Sequence, residues 1–179
     1  MKLIPLTQGQ FAMIDNDDFE WLDQWQWHLS RDQRGQCYAR RIVHVKGKEC
    51  SIYMHRLILQ KHGTPVPEDM QTDHTDGNGL NNQKSNLRTC SHSTNRANSR
   101  KYRFNHKGEV PSSKYKGVTW HKRDRCWQVQ IRANGRNEHL GLFKNEEDAG
   151  KAYDRAAIEA FSNFARINFP ARQKRVNIV

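Results

Sequence analysis

The stretch from Gln71 to Asn98 reads QTDHTDGNGLNNQKSNLRTCSHSTNRAN and is almost entirely polar. Asp73 and His74 are neighbours in it, and asparagine recurs through the rest. Such a run has too few apolar side chains to offset the entropy of ordering its backbone by hydrophobic burial. Either it is a solvated linker, or its polar side chains form a site.

The composition of this stretch predicts a strand, a loop, a second strand and a helix. Residues 70–73 and 86–90 are the two short strands, and residues 75–85 are rich in types that tolerate positive φ. Ser91 or Ser93 is suited to cap the helix that follows. This order brings the end of the first strand close to the helix.

The side chains that would then converge suit phosphodiester hydrolysis. Asp73 and the Asn95 amide are hard oxygen ligands of the kind that Mg²⁺ (or Mn²⁺) takes together with phosphate. His74 is a neutral imidazole near pH 7 and suits a general base. Because neighbouring side chains on a strand point to opposite faces, one of the pair can hold metal while the other faces the water.

Several short motifs follow one another in a fixed order. They are Asp73-His74, DGN at 76–78, NN at 81–82, NLR at 86–88 and Asn95 on the helix, with MHRL at 54–57 ahead of them. The order resembles the HNH (ββα-metal, His-Me finger) endonucleases, in the branch that includes phage and intron-encoded homing nucleases. The resemblance covers about residues 50–100.

The HNH resemblance implies a role for each matching residue. His74 falls on the general base, Asp73 on a metal ligand and Asn86 on the residue that positions the base. Asn95 falls on the third motif position, which is often His in the family, and His92 and Asn98 are the alternative ligands. For His55, outside this set, we expect packing or hydrogen bonding beneath its helix, not catalysis.

The charge of the chain indicates a polyanionic partner. Lys and Arg number 30 against 19 Asp and Glu, which gives +11 over 179 residues. No acidic residue lies between Gly77 and Gly108, directly after the polar motif. Charge therefore predicts a polyanion, with phosphate contacts from Arg88, Arg96, Arg100 and Lys101, and the resemblance to nucleases implies that this polyanion is double-stranded DNA.

The pattern changes after about residue 113, where three strand-like runs precede a helix over 146–161. In CWQVQIRAN, Trp127, Val129 and Ile131 alternate with Gln128, Gln130 and Arg132. In EHLGLF, Leu140 and Leu142 are expected on one face of the strand. Small residues along the helix would let it lie close on the sheet, leaving the polar face free to contact base edges.

The motifs of this second region resemble the plant APETALA-type (ethylene-response-factor) DNA-binding domain over about residues 113–170. They are YKGV at 115, W-x-V-x-I-R at 127–132, LGLF at 140, A-x-x-AYDRAA at 149–157 and NFP at 168. The resemblance implies DNA contacts on the three strands. The positions are Lys116, Thr119, His121, Arg123, Arg125, Gln128, Gln130, Arg132, Asn137 and His139.

The predicted fold class is α+β: a ββα-metal nuclease domain followed by a small three-stranded antiparallel sheet packed on one helix. Two helices are predicted earlier, one over 19–29 from the apolar face of Trp21, Leu22, Trp25 and Leu29, and one over 54–62, with a hairpin between them. The predicted domains are an N-terminal β-rich scaffold at 1–50, an HNH core at 51–107, a basic linker at 108–113, the APETALA-type domain at 114–170 and a basic tail at 171–179.

Several site and protein classes are not expected. The four cysteines, Cys37, Cys50, Cys90 and Cys126, are scattered, which argues against a structural zinc or a disulfide framework. No secretory signal or membrane-length apolar run is seen, so we expect a cytoplasmic protein of a bacterial host or phage-infected cell. We expect no small-molecule substrate, and a monomer is favoured.

The two resemblances together imply a sequence-guided endonuclease that nicks or cuts duplex DNA with one divalent metal, as a phage or mobile-element homing endonuclease. The competing hypothesis is a DNA-binding transcription regulator with a decayed nuclease head. A third hypothesis is an RNA-directed nuclease. The complete set of Asp73, His74, Asn86 and Asn95 argues against decay.

Overall fold

The computed structural model describes residues 1–33, 35–99, 101 and 108–170. The predictions made for Arg100 and for the tail at 171–179 lie outside the described residues. The described strands are β1 Lys2–Pro5, β2 Phe11–Ile14, β3 His28–Arg31, β4 Cys37–Val45, β5 Lys48–Tyr53, β6 Gln71–His74, β7 Leu87–Cys90, β8 Val118–His121, β9 Cys126–Ala133 and β10 Arg136–Phe143. The described α-helices are α1 Phe19–Asp23, α2 Met54–Lys61, α3 His92–Asn98 and α4 Glu146–Phe161.

Residues 1–95 form the first of two compact units. Its strands make three small antiparallel sheets, β1-β2, β3-β4-β5 and β6-β7. The predicted hairpin is confirmed as β4-β5, and its two-residue turn has φ of 51° at Lys46 and 74° at Gly47. Positive φ at both positions is typical of the turn that matches strand twist.

The core of this unit is built from one face of each element. Ile4, Ala12, Ile14, Leu22 and Trp27 are buried together with residues from β3, β4, α2 and β7. On β1 and β2 the buried residues alternate with exposed ones, as expected for strands with one face on a core.

The predicted helix over residues 19–29 is wrong in length. α1 ends at Asp23, and Leu29 lies in β3, where it pairs with Ala39 of β4. The Trp27 indole N–H donates to the Leu22 carbonyl at 2.9 Å, which satisfies a backbone group that a longer helix would have bonded. Pairing with β4 therefore overrides an apolar spacing that is equally compatible with a helix.

Residues 96–179 form the second compact unit. Its antiparallel sheet has the order β10-β9-β8, and α4 packs on one face. Val118, Val129 and Ile131 are buried against Ala149 and Tyr153 of α4. The predicted alternation along β9 is confirmed, since Gln130 and Arg132 are exposed while their neighbours Val129 and Ile131 are buried.

A β-bulge in β10 changes the predicted side of one residue. His139 pairs with Gln130, but Gly141 pairs with Val129, so Leu140 is an extra residue in β10. Leu140 packs against the core, whereas Leu142 pairs with Gln128 and is exposed. The prediction that Leu140 and Leu142 share a face is therefore wrong, because the bulge inverts the alternation between them.

The boundary between the two units falls between Asn95 and Arg96, ahead of the predicted linker. Residues 108–113 carry no helix or strand, but the Ser112 hydroxyl accepts from the Trp120 amide at 2.8 Å. The Ser113 hydroxyl likewise accepts from the Tyr115 amide at 3.0 Å. The domain limits themselves remain a prediction.

The described fold is a mixture of several small sheets and helices, which agrees with the α+β class at this coarse level. The order of strand, strand and helix predicted for the polar stretch is present as β6, β7 and α3. None of the helices in the described ranges has the length and apolar character needed to cross a membrane.

Glycines 117 and 135 make a matched pair for testing this packing. Both have positive φ, 76° and 75°, but a Cβ at Gly117 would overlap the Tyr153 ring, whereas Gly135 faces open space. Positive φ costs a non-glycine residue about 1–2 kcal/mol. Overpacking adds about 1–3 kcal/mol. In urea unfolding, we expect Gly117→Ala to be destabilised clearly more than Gly135→Ala; equal losses would contradict the packing of Tyr153 against Gly117.

Candidate functional site

The β6-β7 pair sorts the polar motif onto two faces. Gln71 pairs with Cys90, Asp73 with Arg88 and His74 with Leu87. Because side chains alternate along a strand, Gln71 and Asp73 share one face and His74 lies on the other. This sorting is the one the sequence predicted for Asp73 and His74.

Asp73 is buried and bound by an arginine. The Arg88 guanidinium contacts Asp73 Oδ2 from Nε at 2.8 Å and from Nη2 at 2.6 Å. The side chain of Asp73 is only 5% exposed and that of Arg88 17%. Arg88, predicted as a phosphate contact, thus forms a cross-strand ion pair with the predicted metal ligand.

Asn95 contacts the same face of β6 from helix α3. The Ser91 hydroxyl accepts from the Thr94 amide at 3.2 Å, so Ser91, not Ser93, caps the helix. One turn into α3, Asn95 Nδ2 donates to Gln71 Oε1 at 2.6 Å. The two predicted metal ligands are therefore each connected to this face of the β6-β7 pair.

Cys90 ends β7 on the Asp73 face, and its thiol is buried there. Burial raises its pKa to about 11, and the nearby charge of Asp73 adds to the effect. A thiol with that pKa is protonated near neutral pH when no metal is bound. Asp73 and Asn95 supply the oxygen donors of this face.

His74 lies in an aromatic environment on the opposite face. Its ring centroid is 5.2 Å from that of His55, edge to face, and 6.0 Å from that of Tyr38. Burial lowers the pKa of His74, while a side-chain hydrogen bond with Asn82 and the charges of Asp76 and Asp73 partly oppose the shift. The imidazole is neutral at pH 7, the form that a general base requires.

His55 is the site neighbour that sequence reasoning undervalued. It lies in the first turn of α2, stacks on Tyr53 with ring centroids 5.4 Å apart, and is buried. Burial and the neighbouring His74 lower its pKa to about 3. His55 packs as expected, but its packing partner is His74, the candidate base. The MHRL motif at 54–57, which contains His55, was the sequence signal that could have indicated this contact.

Asn86 holds the loop that follows His74. Its Nδ2 donates to Asp76 Oδ1 at 3.0 Å and to the Asn81 carbonyl at 2.8 Å, and its Oδ1 accepts from the Asp76 amide at 3.0 Å. Its backbone carbonyl accepts from the Thr75 amide at 2.9 Å. Asn86 therefore sets the path of the chain immediately after His74, which fits a positioning residue.

The same loop lies close to β4. A Cβ at Gly79 would overlap the Cys37 carbonyl and the Tyr38 ring, so only glycine allows this approach. The Gln36 side chain also donates to the Gly77 carbonyl at 3.0 Å. Contacts at Gly77 and Gly79 therefore add to those of Asn86 in fixing the path of the loop that follows His74.

The donor chemistry of the Asp73 face fits a hard divalent cation. The Asp73 carboxylate is buried, and the Asn95 amide nitrogen is bonded to Gln71. Both side chains supply oxygen ligands, which suit Mg²⁺ or Mn²⁺ and leave room for water and phosphate. Within the described ranges, no group of three or more His, Cys, Asp and Glu side chains is arranged to hold a metal ion. The four cysteines are free thiols.

The second unit brings most of its predicted DNA-binding residues onto one sheet face. Thr119 pairs with Gln128, Gln130 with His139, and Arg132 with Asn137. A shallow depression on this face is lined by Thr119, Gln130, Arg132 and Asn137, together with Lys101. The strand residues among them, Thr119, Gln130, Arg132 and Asn137, lie on the polar sheet face opposite α4.

Two of the remaining predicted contacts, His121 and Arg123, have an acidic partner within the second unit. In the β8-β9 turn, Asp124 pairs with Arg123 at 2.8 Å and with His121 at 3.3 Å, and Arg125 has a φ of 48°. An acidic side chain therefore lies among three predicted phosphate or base contacts. Arg96 is exposed on α3.

Two predicted DNA-binding lysines are held by backbone carbonyls. Lys101 Nζ donates to the carbonyls of Tyr115 and Val118, and Lys116 Nζ donates to those of Ala97 and Ser99. Burial lowers the pKa of both, that of Lys116 to about 8. Their ammonium groups organise the chain inside the unit.

Comparison with known proteins bears on the first unit. Residues 52–97 match the HNH endonuclease family model. The chain is also 26% identical, over 167 residues, to an uncharacterized HNH endonuclease of Acanthamoeba polyphaga mimivirus, a match that covers 93% of this chain and 79% of the viral protein. These matches support an HNH endonuclease domain that contains Asp73, His74, Asn86 and Asn95.

Similarity to plant proteins is shorter. The chain is 43% identical over 58 residues to APETALA2-like protein 2 of Oryza sativa subsp. indica, which covers 32% of this chain and 13% of the rice protein. It is 41% identical over 58 residues to the AP2-like ethylene-responsive transcription factor TOE2 of Arabidopsis thaliana, covering 32% and 12%. These partial matches support the APETALA-type domain only weakly.

The Asn86 network can be tested by hydrogen exchange. In Asn86→Ala the Asp76 amide loses its side-chain acceptor, whereas the Thr75 amide keeps the backbone carbonyl of residue 86 as its partner. We expect faster exchange at Asp76 than at Thr75 and a loss of about 1–3 kcal/mol in unfolding free energy, because buried polar partners are left unsatisfied. Unchanged exchange at Asp76 would contradict this role of Asn86.

Proposed function

We propose that this protein is a divalent-metal-dependent endonuclease that hydrolyses phosphodiester bonds of duplex DNA, by nicking or by double-strand cleavage. The observation that carries the proposal is the end of β6, where a buried carboxylate and a buried neutral imidazole occupy adjacent positions on opposite faces. The HNH match over residues 52–97 supports the same reaction class.

In this proposal His74 is the general base. Burial keeps its ring neutral at pH 7, so it accepts a proton from the water that attacks the phosphorus atom. His55, Tyr38 and the Asn86-bound loop restrict the position of the ring. A restricted ring matters because a small misplacement of a catalytic group can cost about 10²-fold in rate.

Asp73 and Asn95 are the proposed metal ligands. The hydrogen bond of Asn95 to β6 favours it over His92 and Asn98 for this role. Bound Mg²⁺ or Mn²⁺ would stabilise negative charge on the phosphate and the leaving oxygen. Arg88 neutralises the Asp73 carboxylate and fixes one of its oxygens.

The sheet face of the second unit is the proposed reader of DNA sequence. Gln and Arg are the types that pair with adenine and guanine edges, and Gln130 and Arg132 lie exposed on one strand opposite His139 and Asn137. The short plant matches support this assignment. Phosphate contacts from Arg88, Arg96 and Lys101 would then contribute less to DNA recognition. Arg88 and Lys101 already have partners within the protein.

This proposal has three further parts. The protein has a homing role in a phage or mobile element, it acts in the cytoplasm of a bacterial or phage-infected cell, and it is a monomer. Similarity to the mimivirus protein, together with the pairing of a nuclease motif with a DNA-reading motif, supports the mobile-element setting. The net charge of +11 supports DNA as partner.

The first test concerns His74. We expect His74→Ala to lower the cleavage rate of supercoiled plasmid in Mg²⁺ by about 10²–10⁴-fold, because a positioned base is lost. DNA affinity in EDTA should stay close to that of the wild type. His44→Ala is the matched control, since His44 is an exposed histidine on β4.

The outcomes separate the proposed functions. Cleavage by His74→Ala at the wild-type rate would contradict the assignment of the base. Sequence-selective DNA binding by the wild type, without cleavage at any Mg²⁺ or Mn²⁺ concentration, would instead favour a DNA-binding regulator.

The second test concerns Arg132. Arg132 and Arg136 lie at the β9-β10 turn on opposite sheet faces, because Arg132 pairs with Asn137 and Arg136 with Ala133. Each substitution by Ala removes one positive charge, but only Arg132→Ala removes a side chain from the proposed reading face. On a library of DNA sites at fixed salt, we expect Arg132→Ala to lose about 1–3 kcal/mol of discrimination at one base position. An identical change in Arg136→Ala would show that charge alone matters.

A further inference from the structure

We propose that Gln71 is a positioning residue that orients the Asn95 amide so that its oxygen is available to the metal. This inference rests on the proposed metal site at Asp73 and Asn95. It concerns a residue that neither the motif order nor the charge pattern distinguished.

The argument begins with the hydrogen bond between the two amide side chains. Asn95 Nδ2 donates to Gln71 Oε1 at 2.6 Å, within hydrogen-bonding distance. Nitrogen and oxygen of an amide are attached to the same carbon and point in different directions. When the nitrogen is bound to Gln71, the Asn95 oxygen is directed away from Gln71.

Orientation of this amide is chemically decisive for a metal ligand. Oδ1 is an acceptor that can bind a hard cation, whereas the Nδ2 group carries two hydrogens and cannot. The shape of the amide is nearly the same after a half-turn, so packing alone distinguishes the two orientations poorly. Gln71 presents its oxygen to Asn95, and only the Asn95 nitrogen can donate to that oxygen, so this pair leaves the Asn95 oxygen free.

The position of Gln71 on β6 makes it suitable for this task. It lies two residues before Asp73, so both side chains project from the same strand face toward the elements that carry Arg88 and Asn95. Arg88 fixes Asp73 Oδ2 in the same way that Gln71 fixes Asn95 Nδ2. Each proposed metal ligand thus has one partner from the β6-β7 pair, and such outer partners typically change metal affinity or activity by 10–100-fold when removed.

Gln71→Leu and Gln71→Glu test the role of the acceptor. Leu is one atom shorter and has no acceptor, whereas the Glu carboxylate only accepts and so retains the hydrogen bond from Asn95. Gln60→Leu is the control, because Gln60 is exposed on α2. Mn²⁺ binding to the full-length protein is measured directly by electron paramagnetic resonance, without DNA, and the Mg²⁺ dependence of plasmid cleavage is measured in parallel.

We expect Gln71→Leu to weaken Mn²⁺ binding by about 10-fold or more. Gln71→Glu should bind Mn²⁺ as tightly as the wild type or more tightly, and Gln60→Leu should be unchanged. The maximal cleavage rate at saturating Mg²⁺ should be lowered less in Gln71→Leu than its metal affinity. Thermal unfolding of the Gln71 variants and the wild type monitors the fold.

A double substitution tests whether Gln71 acts through Asn95. In an Asn95→Ala background, Gln71→Leu should cause no further loss of Mn²⁺ affinity, because the amide that it orients is absent. An additive loss would overturn the proposal, and so would wild-type Mn²⁺ affinity in Gln71→Leu or equal losses in the Leu and Glu variants.

Failure of the metal site itself gives a different result. If Asp73→Ala and Asn95→Ala both bind Mn²⁺ like the wild type, the proposed ligand set is wrong, and the proposed role of Gln71 is wrong as well. If those two variants lose Mn²⁺ binding while Gln71→Leu retains it, the metal site stands and only the inference on Gln71 is overturned.

Discussion

The antiparallel pairing of β6 with β7 is the constraint on which the candidate active site depends. Only four residues long, β6 places Gln71 and Asp73 on one face and His74 on the other. A slip of one residue in the register would exchange these faces and separate Asp73 from Arg88. The chemistry of the site thus follows from a strand pair that buries little apolar surface of its own.

Such a short pair requires support from outside its ladder, and polar side chains provide much of it. Asp15 accepts from Gln83 Nε2 at 3.0 Å and from the Lys84 amide at 2.8 Å. The backbone of Met13 bonds to Leu80 and Asn82, each at 2.8 Å, which attaches the motif loop to β2. These bonds explain how a run with few apolar residues adopts a defined path: hydrogen bonds to the N-terminal strands replace part of the missing core.

In the second unit the positive charge of the chain is divided between structure and surface. Lys101 and Lys116 direct their ammonium groups to backbone carbonyls, and Asp124 neutralises part of the β8-β9 turn. Buried Asp154 accepts from the amides of Asn168 and Phe169, which holds the segment after α4. On the polar sheet face, by contrast, Gln130 and Arg132 are exposed. Net charge therefore indicates the class of partner but not which cations would contact it.

The sequence by itself determined the elements whose signals are local. Alternation in β9, the helix predicted over 146–161 and the β4-β5 hairpin needed no tertiary information, because period and turn chemistry act over a few residues. The motif order from Asp73 to Asn95 likewise identified the HNH-like segment, because its residue types and their sequence are distinctive. Tertiary structure alone decided the end of α1 at Asp23, where pairing of Leu29 with β4 competes with helix formation, and the bulge at Leu140. It also decided the placement of His55 against His74, the pairing of Arg88 with Asp73 and the bond from Asn95 to Gln71. These contacts join residues 15 to 24 positions apart, and sequence spacing carries no information on which polar groups become partners once the chain is packed.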